Sequence, residues 1–353
     1  MPTQNLYDTM TMLKAVEQME REYRFLSDTF VEDGSVSADE HPFYDYRKGS
    51  KRGLAPFVVP GTGGVTLNRD KFEMRQIRFT TLEPQYVIEE SDLEHRQFGE
   101  NVIGGDSQET RSKKLLAQDL KNLRTVLQNT RDWMAREVLL NGKLEIRRHT
   151  RAGQEKVPTM VADFGFTNYY VPATKWDQAG AKIHYDMEKV FDLVYDQLGE
   201  IDILVMGAGV FEAMTENSTY LKTLDMDKLY MGEIATKYAG SGVRYRGTNS
   251  DGVKMVSYSG HVPTYSGEKP AIPNGWILAG SSRNKPISFM HGPINKWSGM
   301  DENATRKTYI KKEVPFRVGG SHSDSIATQM ISRPTVVPQN VGAWAVMKVL
   351  TGA

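Results

Sequence analysis

The sequence contains no cysteine among its 353 residues. This absence excludes disulfide bonds, thiolate metal sites and cysteine nucleophiles. The stability of the fold must therefore come from packing and from association between chains. Because 39% of the residues are hydrophobic, the chain can bury a substantial core, in one large domain or in about two to three smaller ones.

An excess of basic charge is also missing. The 44 lysine and arginine residues are balanced by 44 aspartate and glutamate residues, so the formal net charge is zero. A dedicated nucleic-acid binder usually carries a basic excess. Any contact with DNA should therefore be weak and non-specific, or confined to a local patch.

Long apolar runs are absent as well. No run approaches the ~18 residues that a membrane-spanning helix needs. Residues 1–30 are polar and charged, without the apolar region of a signal peptide. These features predict a soluble protein that is made in a cytoplasm and has no membrane partner.

The motifs for catalysis and cofactor binding are incomplete. A strand at residues 201–206 leads into Gly207 and Gly209, but Glu212 stands where a dinucleotide site needs a third small residue. Its carboxylate would repel a pyrophosphate. Ser259 lacks the glycine two residues earlier that a nucleophile elbow requires. The seven histidines are isolated along the chain. We therefore expect no catalytic residue, no cofactor site and no metal site.

The clearest predicted element is a long helix over residues 107–141. Residues 106–109 resemble a capping box, and Asn141 with Gly142 supplies a left-handed stop. A helix of this length spans about 50 Å, which suits a spine on which sheets lie. Its apolar stripe consists of Leu116, Leu120, Leu123, Leu127, Met134 and Val138.

The rest of the chain predicts an α+β protein with long extensions. Residues 5–30 have helical spacing, and residues 31–53 are a polar arm punctuated by glycine and proline. We expect residues 1–50 to be ordered by neighbouring subunits more than by their own. The remaining predicted elements are a hairpin at 143–148 and 157–166, a helix at 187–198, and strands at 201–206, 242–247, 253–258, 275–279 and 343–350.

Two adjacent segments carry opposite charge. Residues 47–78 contain eight basic and two acidic residues, a local charge of about +6. Residues 83–106 contain seven acidic residues and one basic residue, a local charge of about −6. They are either two solvated faces, or a basic hairpin and the acidic surface of a neighbour on which it docks. The candidate contact residues of the hairpin are Arg69, Lys71, Arg75 and Arg78. The candidate acidic partners are Glu89, Glu90, Asp92 and Glu94.

Several stretches, taken in order, resemble one known family. They cover its spine helix and the turn that follows, an aspartate-centred strand, two paired strands and a terminal strand. In this sequence they are residues 122–144, 161–165, 253–262, 272–281 and 333–350. Over residues 10–350 the sequence is similar to the major coat proteins of lambda-like tailed bacteriophages, the major capsid protein E family.

The resemblance implies the Hong Kong 97-type phage coat fold, an α+β architecture. Its expected parts are an N-terminal arm (1–50), an extended β-hairpin loop (51–90), a peripheral domain with the spine helix (91–185), an axial domain (186–325) and a C-terminal strand that returns to the peripheral domain (326–353).

The resemblance also implies a structural rather than a catalytic function. Such a coat protein would self-assemble, as hexamers and pentamers, into the icosahedral head shell around double-stranded DNA. It would meet scaffold, portal and decoration proteins, and it would reside in the virion after assembly in the host cytoplasm. Two alternatives stay open, namely another phage ring or tube protein and a nucleotide-dependent enzyme built around Gly207 and Gly209.

Overall fold

The computed structural model places most of the chain. The residues it describes are 8–40, 43–47, 72–76, 78–89, 92, 94–95, 107–150, 153–154, 158–197, 199–221, 224–225, 242–249, 251–297, 306–319 and 325–352. None of the helices in these ranges is long and apolar enough to cross a bilayer.

The described part of the chain mixes helices and short strands. The helices are α1 (Thr9–Gln18), α2 (Phe25–Phe30), α3 (Gln108–Asn141), α4 (Ile183–Tyr195), α5 (Val210–Glu216) and α6 (Ser218–Leu221). The strands up to α4 are β1 (Val31–Val36), β2 (Phe43–Arg47), β3 (Phe72–Gln76), β4 (Gln85–Glu89), β5 (Lys143–Ile146), β6 (His149–Thr150), β7 (Gly153–Gln154), β8 (Met160–Asp163) and β9 (Tyr169–Tyr170). The later strands are β10 (Ile203–Met206), β11 (Leu224–Asp225), β12 (Val243–Asn249), β13 (Lys254–Tyr258), β14 (His261–Thr264), β15 (Gly267–Pro270), β16 (Trp276–Gly280), β17 (Ile287–His291), β18 (Ile294–Trp297), β19 (Arg306–Tyr309), β20 (Val314–Val318), β21 (Ser325–Ile331), β22 (Pro334–Pro338) and β23 (Ala345–Lys348).

The predicted spine helix is confirmed as α3, which has 34 residues. Its N-cap lies one residue later than expected, because Ser107 accepts the N–H of Thr110. Glu109 therefore does not close a capping box and instead binds Lys113 at 2.6 Å. Gly142 ends the helix with a φ of 60°, and a Cβ there would collide with the side chain of Phe166.

The spine helix packs into two different cores. All six residues of the predicted apolar stripe are buried. The N-terminal part of the stripe, from Leu116 to Leu127, packs with α1 and with Met330 of β21. The C-terminal part belongs to the largest core, where the indole of Trp344 donates to the carbonyl oxygen of Leu139 at 2.9 Å. One helix therefore joins the packing of both regions.

The largest sheet lies beside the second half of the spine helix. It has seven strands in the order β11-β12-β13-β10-β16-β23-β9. Its central strand, β10, is fully buried, which requires cover on both faces. Ile203 and Val205 point into the core that contains the spine helix, whereas Leu204 and Met206 point into a core formed with α4 and α5.

Two three-stranded sheets complete the framework. One has the order β20-β21-β4 and packs against the first half of the spine helix. The other has the order β1-β17-β22, with β1 parallel to β17. The predicted hairpin after the spine helix is confirmed as the antiparallel pair of β5 and β8.

The N-terminal segment differs from its prediction. A single helix over residues 5–30 is wrong, because α1 and α2 are separated by residues 19–24. Arg124 of the spine helix donates to the carbonyl oxygens of Val16 and Met19, at 3.2 and 2.6 Å, and so caps the end of α1.

The dependence of residues 1–50 on neighbouring subunits stays a prediction, although residues 9–36 already make contacts within their own subunit. The apolar side chains of α1 and α2 are buried in their own subunit, and β1 pairs with β17 of the same chain. Helix α4 begins at Ile183, four residues before its predicted start, and ends at Tyr195. Its earlier start brings Ile183 and Asp186, which are both buried, into the helix.

A carboxylate is buried where α2 meets the spine helix. Asp132 accepts a hydrogen bond from the hydroxyl of Ser27, and its other oxygen lies 3.7 Å from Nε of Arg24. Burial raises the pKa of Asp132 to about 6, although Ser27 and Arg24 oppose the shift. Folding therefore makes Asp132 easier to protonate than an exposed aspartate.

A charge in the spine stripe should destabilise the fold. Leu127 is 1% exposed and Val126 is 41% exposed, so adjacent positions of one helix offer a matched pair. We expect Leu127→Asp or Leu120→Asp to cost about 3 kcal/mol or more and to remove soluble protein. Val126→Asp should change the free energy of unfolding by less than about 1 kcal/mol in the same denaturant titration. Equal stability of the buried and exposed variants would contradict the buried stripe.

The buried carboxyl of Asp132 should produce a defined pH dependence. Its folded pKa exceeds the unfolded value of 3.8, so its stabilising contribution is complete below that value and is lost as the pH rises through about 6. Relative to Asp132→Asn, we expect the wild type to gain about 2 kcal/mol between pH 7.5 and 4.5 in chemical denaturation. Asp192→Asn, an exposed change on α4, serves as the control. A constant difference between wild type and Asp132→Asn would refute the assignment.

Candidate intersubunit interface

Strands β2 and β3 form a two-stranded antiparallel sheet. They pair antiparallel, with Phe43 opposite Gln76 and Arg47 opposite Phe72. Arg47 and Phe72, which flank the segment between the two strands, therefore lie side by side. Among the described strands, β2 and β3 pair only with each other. The extended hairpin predicted for the basic segment stays a prediction, because residues 48–71 lie outside the described residues.

The four predicted basic contact residues are only partly placed. Arg75 lies in β3, opposite Tyr44. Arg78 follows β3 and is exposed. Arg69 and Lys71 lie outside the described residues, as does the side chain of Arg75. The structure thus places the C-terminal end of the basic segment in β3 and just after it.

The acidic segment follows an edge strand of a three-stranded sheet. Strand β4 pairs with β21, and only Ile88 of β4 is buried. Glu89 ends this strand and is exposed, and its N–H donates to the carboxylate of Asp92 at 3.0 Å. Glu94 is also exposed, whereas Glu90 lies outside the described residues.

The acidic segment lies beside the first turns of the spine helix. Arg111 donates to the carbonyl oxygen of Glu94 at 3.2 Å. Burial and the nearby charge of Asp92 together raise the pKa of Asp119, so the acidic field reaches the helix surface. Three of the four predicted acidic residues, namely Glu89, Asp92 and Glu94, thus form one exposed acidic surface.

The sequence analysis missed an ion-pair network that joins the same three-stranded sheet, at its other edge, to the spine helix. Glu313 lies 2.5 Å from Arg131 and 3.5 Å from Arg124, both on the spine helix. These side chains are at least four-fifths buried, so the pairs hold the β20 sheet at a defined position on the helix. The sequence signal for this network was the pair Arg124 and Arg131, seven residues apart and beside the apolar stripe of the helix.

The glycine-rich turn after β10 serves packing within the chain. Gly209 has a φ of 81° and starts α5. A Cβ on Gly207 would lie 2.1 Å from the carbonyl oxygen of Pro273, and Gly275 donates to the carbonyl oxygen of Ala208. The chain itself therefore occupies the space that a pyrophosphate would need at Gly207.

Solved structures resemble the chain over nearly its whole length. The crystal structure of the putative capsid protein of a prophage from E. coli CFT073 matches with a TM-score of 0.66 and 17% identity, covering 97% of this chain and 99% of that chain. A phage-related protein from Bordetella bronchiseptica RB50 matches with a TM-score of 0.51 and 9% identity, covering 97% and 96%. At these identities the likeness concerns the fold. No curated protein matches the chain.

Similarity to a protein family, rather than structural likeness, shows which family the chain belongs to. The family described as phage major capsid protein E matches residues 8–349. The resemblance found in the sequence is thereby confirmed, and so is the α+β, Hong Kong 97-type coat fold. The chain belongs to the phage major capsid protein E family and is a coat protein of the phage head shell.

Proposed function

We propose that neighbouring subunits of this coat protein are joined by the basic hairpin of one subunit lying on the acidic surface of the next. The hairpin contact residues are Arg69, Lys71, Arg75 and Arg78, and the acidic ones are Glu89, Glu90, Asp92 and Glu94. The observation that supports this most is the antiparallel pairing of β2 with β3, which flank most of the basic segment and pair with no other described strand.

The energetics favour a contact that sets registration between copies. A single exposed ion pair contributes only about 0–1 kcal/mol. A shell repeats the same contact at every subunit, and complementary charge mainly speeds association and fixes register. Opposite blocks of about six charges on one chain suit this purpose, since each copy offers both partners.

In the assembled shell each part of the subunit takes a different position. Residues 51–90 form the hairpin loop, residues 91–185 and 326–353 the peripheral domain, and residues 186–325 the axial domain around hexamer and pentamer axes. Residues 1–50 form the arm. Scaffold, portal and decoration proteins are the further partners, and packaged DNA is contacted weakly because the chain has no net charge. The subunit assembles in the host cytoplasm and catalyses no reaction.

Purified protein should form closed icosahedral shells in electron micrographs. Belonging to a coat family predicts closed assemblies, because identical subunits close a shell through repeated contacts. Open tubes, isolated rings or small discrete oligomers under every assembly condition would contradict the proposal.

Charge reversal tests the interface. Arg75→Glu with Arg78→Glu should leave the subunit folded but slow assembly at least about tenfold in light scattering. Adding Glu89→Lys and Glu90→Lys to the same chain should restore part of the rate. Assembly of the wild type should also slow as salt rises, since exposed charges are screened beyond ~10 Å at 0.1 M.

The control reverses two charges away from this surface, Lys254→Glu and Lys269→Glu, which are both exposed. It should assemble at close to the wild-type rate. If the four-residue reversal is no faster than either block alone, the two segments do not meet across the interface.

A further inference from the structure

A buried histidine lies under the N-terminal strand. His291 ends β17 and is 0% exposed, and within the described residues neither of its ring nitrogens has a hydrogen-bond partner. Buried polar groups almost always find partners, and those that lack one need an explanation. His291 also has no place in the subunit contact proposed above.

Charged groups from several elements surround this ring. Nε2 of His291 lies 3.7 Å from a carboxylate oxygen of Asp33 on β1, which is too long for a hydrogen bond. Asp33 is also held by Lys312, at 2.7 Å, and by Arg21, at 3.7 Å. Arg131 of the spine helix adds positive charge. Strand β22 presents Pro334 opposite His291 and the hydroxyl of Thr335 next to it, and neither of these titrates.

Strand β1 is held to the subunit mainly by polar contacts. Only Val31 of its six residues is buried. The strand lies at the edge of its sheet, and its register shifts between Asp33 and Val36. The N–H of Ser37 donates to the carbonyl oxygen of His291 at 2.7 Å, and Lys285 donates to that of Val31 at 3.2 Å. A strand with so little apolar burial opens at low free-energy cost.

We propose that β1 is an acid-sensitive latch, in which protonation of His291 lifts residues 31–40 off β17 while α2 stays in place. An imidazolium in this position has two N–H donors in a site closed to water. The positive charges of Lys312 and Arg131 disfavour the imidazolium. The carboxylate of Asp33 already pairs with Lys312 and Arg21. Opening the edge strand admits water to the ring, so proton uptake and strand release are coupled.

The direction of the effect follows from the titrating groups. Burial, with the charges of Arg131 and Lys312, lowers the pKa of His291, although Asp33 opposes the shift. The neutral ring therefore stabilises the closed strand fully above about pH 6.5, and this stabilisation is lost as the pH falls through the lowered pKa. Contacts with His291, Lys312 and Arg21 lower the pKa of Asp33 well below its usual range, so Asp33 stays ionised throughout this window.

Helix α2 responds to acid in the opposite direction. The raised pKa of Asp132 means that protonation stabilises its contact with Ser27 as the pH falls through about 6. A fall in pH thus weakens the packing of β1 on β17 and stabilises the contact of α2 with the spine helix. The boundary between the released and retained parts is the junction of Phe30 and Val31.

Hydrogen exchange of the full-length unassembled subunit tests the latch. After correction for the intrinsic pH dependence of exchange, peptides covering residues 31–36 should lose protection at least about tenfold between pH 7.5 and 4.5. Peptides covering residues 25–30 and the spine helix should keep theirs. Unchanged or increased protection of β1, a loss shared equally by α2, or an opening midpoint below about pH 4 would overturn the proposal.

Two variants assign the effect to the ring. His291→Phe replaces the imidazole with a ring that cannot titrate. His291→Gln replaces it with a smaller polar group that also cannot titrate, and it serves if the first variant fails to fold. In either folded variant the protection of β1 should no longer depend on pH. His261→Phe removes an exposed histidine on β14 and should retain the wild-type behaviour. If the protection of β1 still depends on pH in a folded His291 variant, the latch is refuted. If neither variant folds, the pH midpoint of β1 opening in the wild type decides between the latch and its refutation.

Discussion

The burial of one helix in two cores is the constraint on which the rest of the structure depends. The first half of the spine helix lies between α1 and the β20-β21-β4 sheet, and the second half lies beneath the seven-stranded sheet. In proteins most of the stability of a helix comes from the packing of its apolar face rather than from helix propensity, and this holds for the 34 residues of the spine helix. Each half is helical because a different part of the chain covers it.

Buried charges fix how those parts meet the helix. Apolar packing alone tolerates small shifts, whereas an ion pair or a buried hydrogen bond demands one geometry. Glu313 sets the position of the β20 sheet through Arg124 and Arg131, and Asp132 sets that of α2 through Ser27. These contacts cluster where the two halves of the helix meet. The middle of the spine is therefore held by polar contacts in addition to its buried apolar residues.

The sequence predicted elements whose signals are local and missed those decided by distant residues. The spine helix carried its own stripe, N-cap region and stop, so its bounds were predicted to within one residue. The break between α1 and α2 depends on Arg124, more than 100 positions away, and no local signal reveals it. The parallel pairing of β1 with β17 is equally non-local. Charge patterning predicted an acidic segment whose described residues Glu89, Asp92 and Glu94 are exposed, but it could not reveal the ion pairs of Glu313 with the spine helix.

Sharing one helix between two cores also determines how the subunit loses its structure. If the β20 sheet and α1 come apart, the first half of the helix loses its cover, and fraying propagates into the half beneath the seven-stranded sheet. Neither region has a self-contained core that includes the whole helix. Global unfolding is therefore cooperative across regions that look separate by topology, and a proteolytic fragment cut at the middle of the helix would retain neither half in its native form.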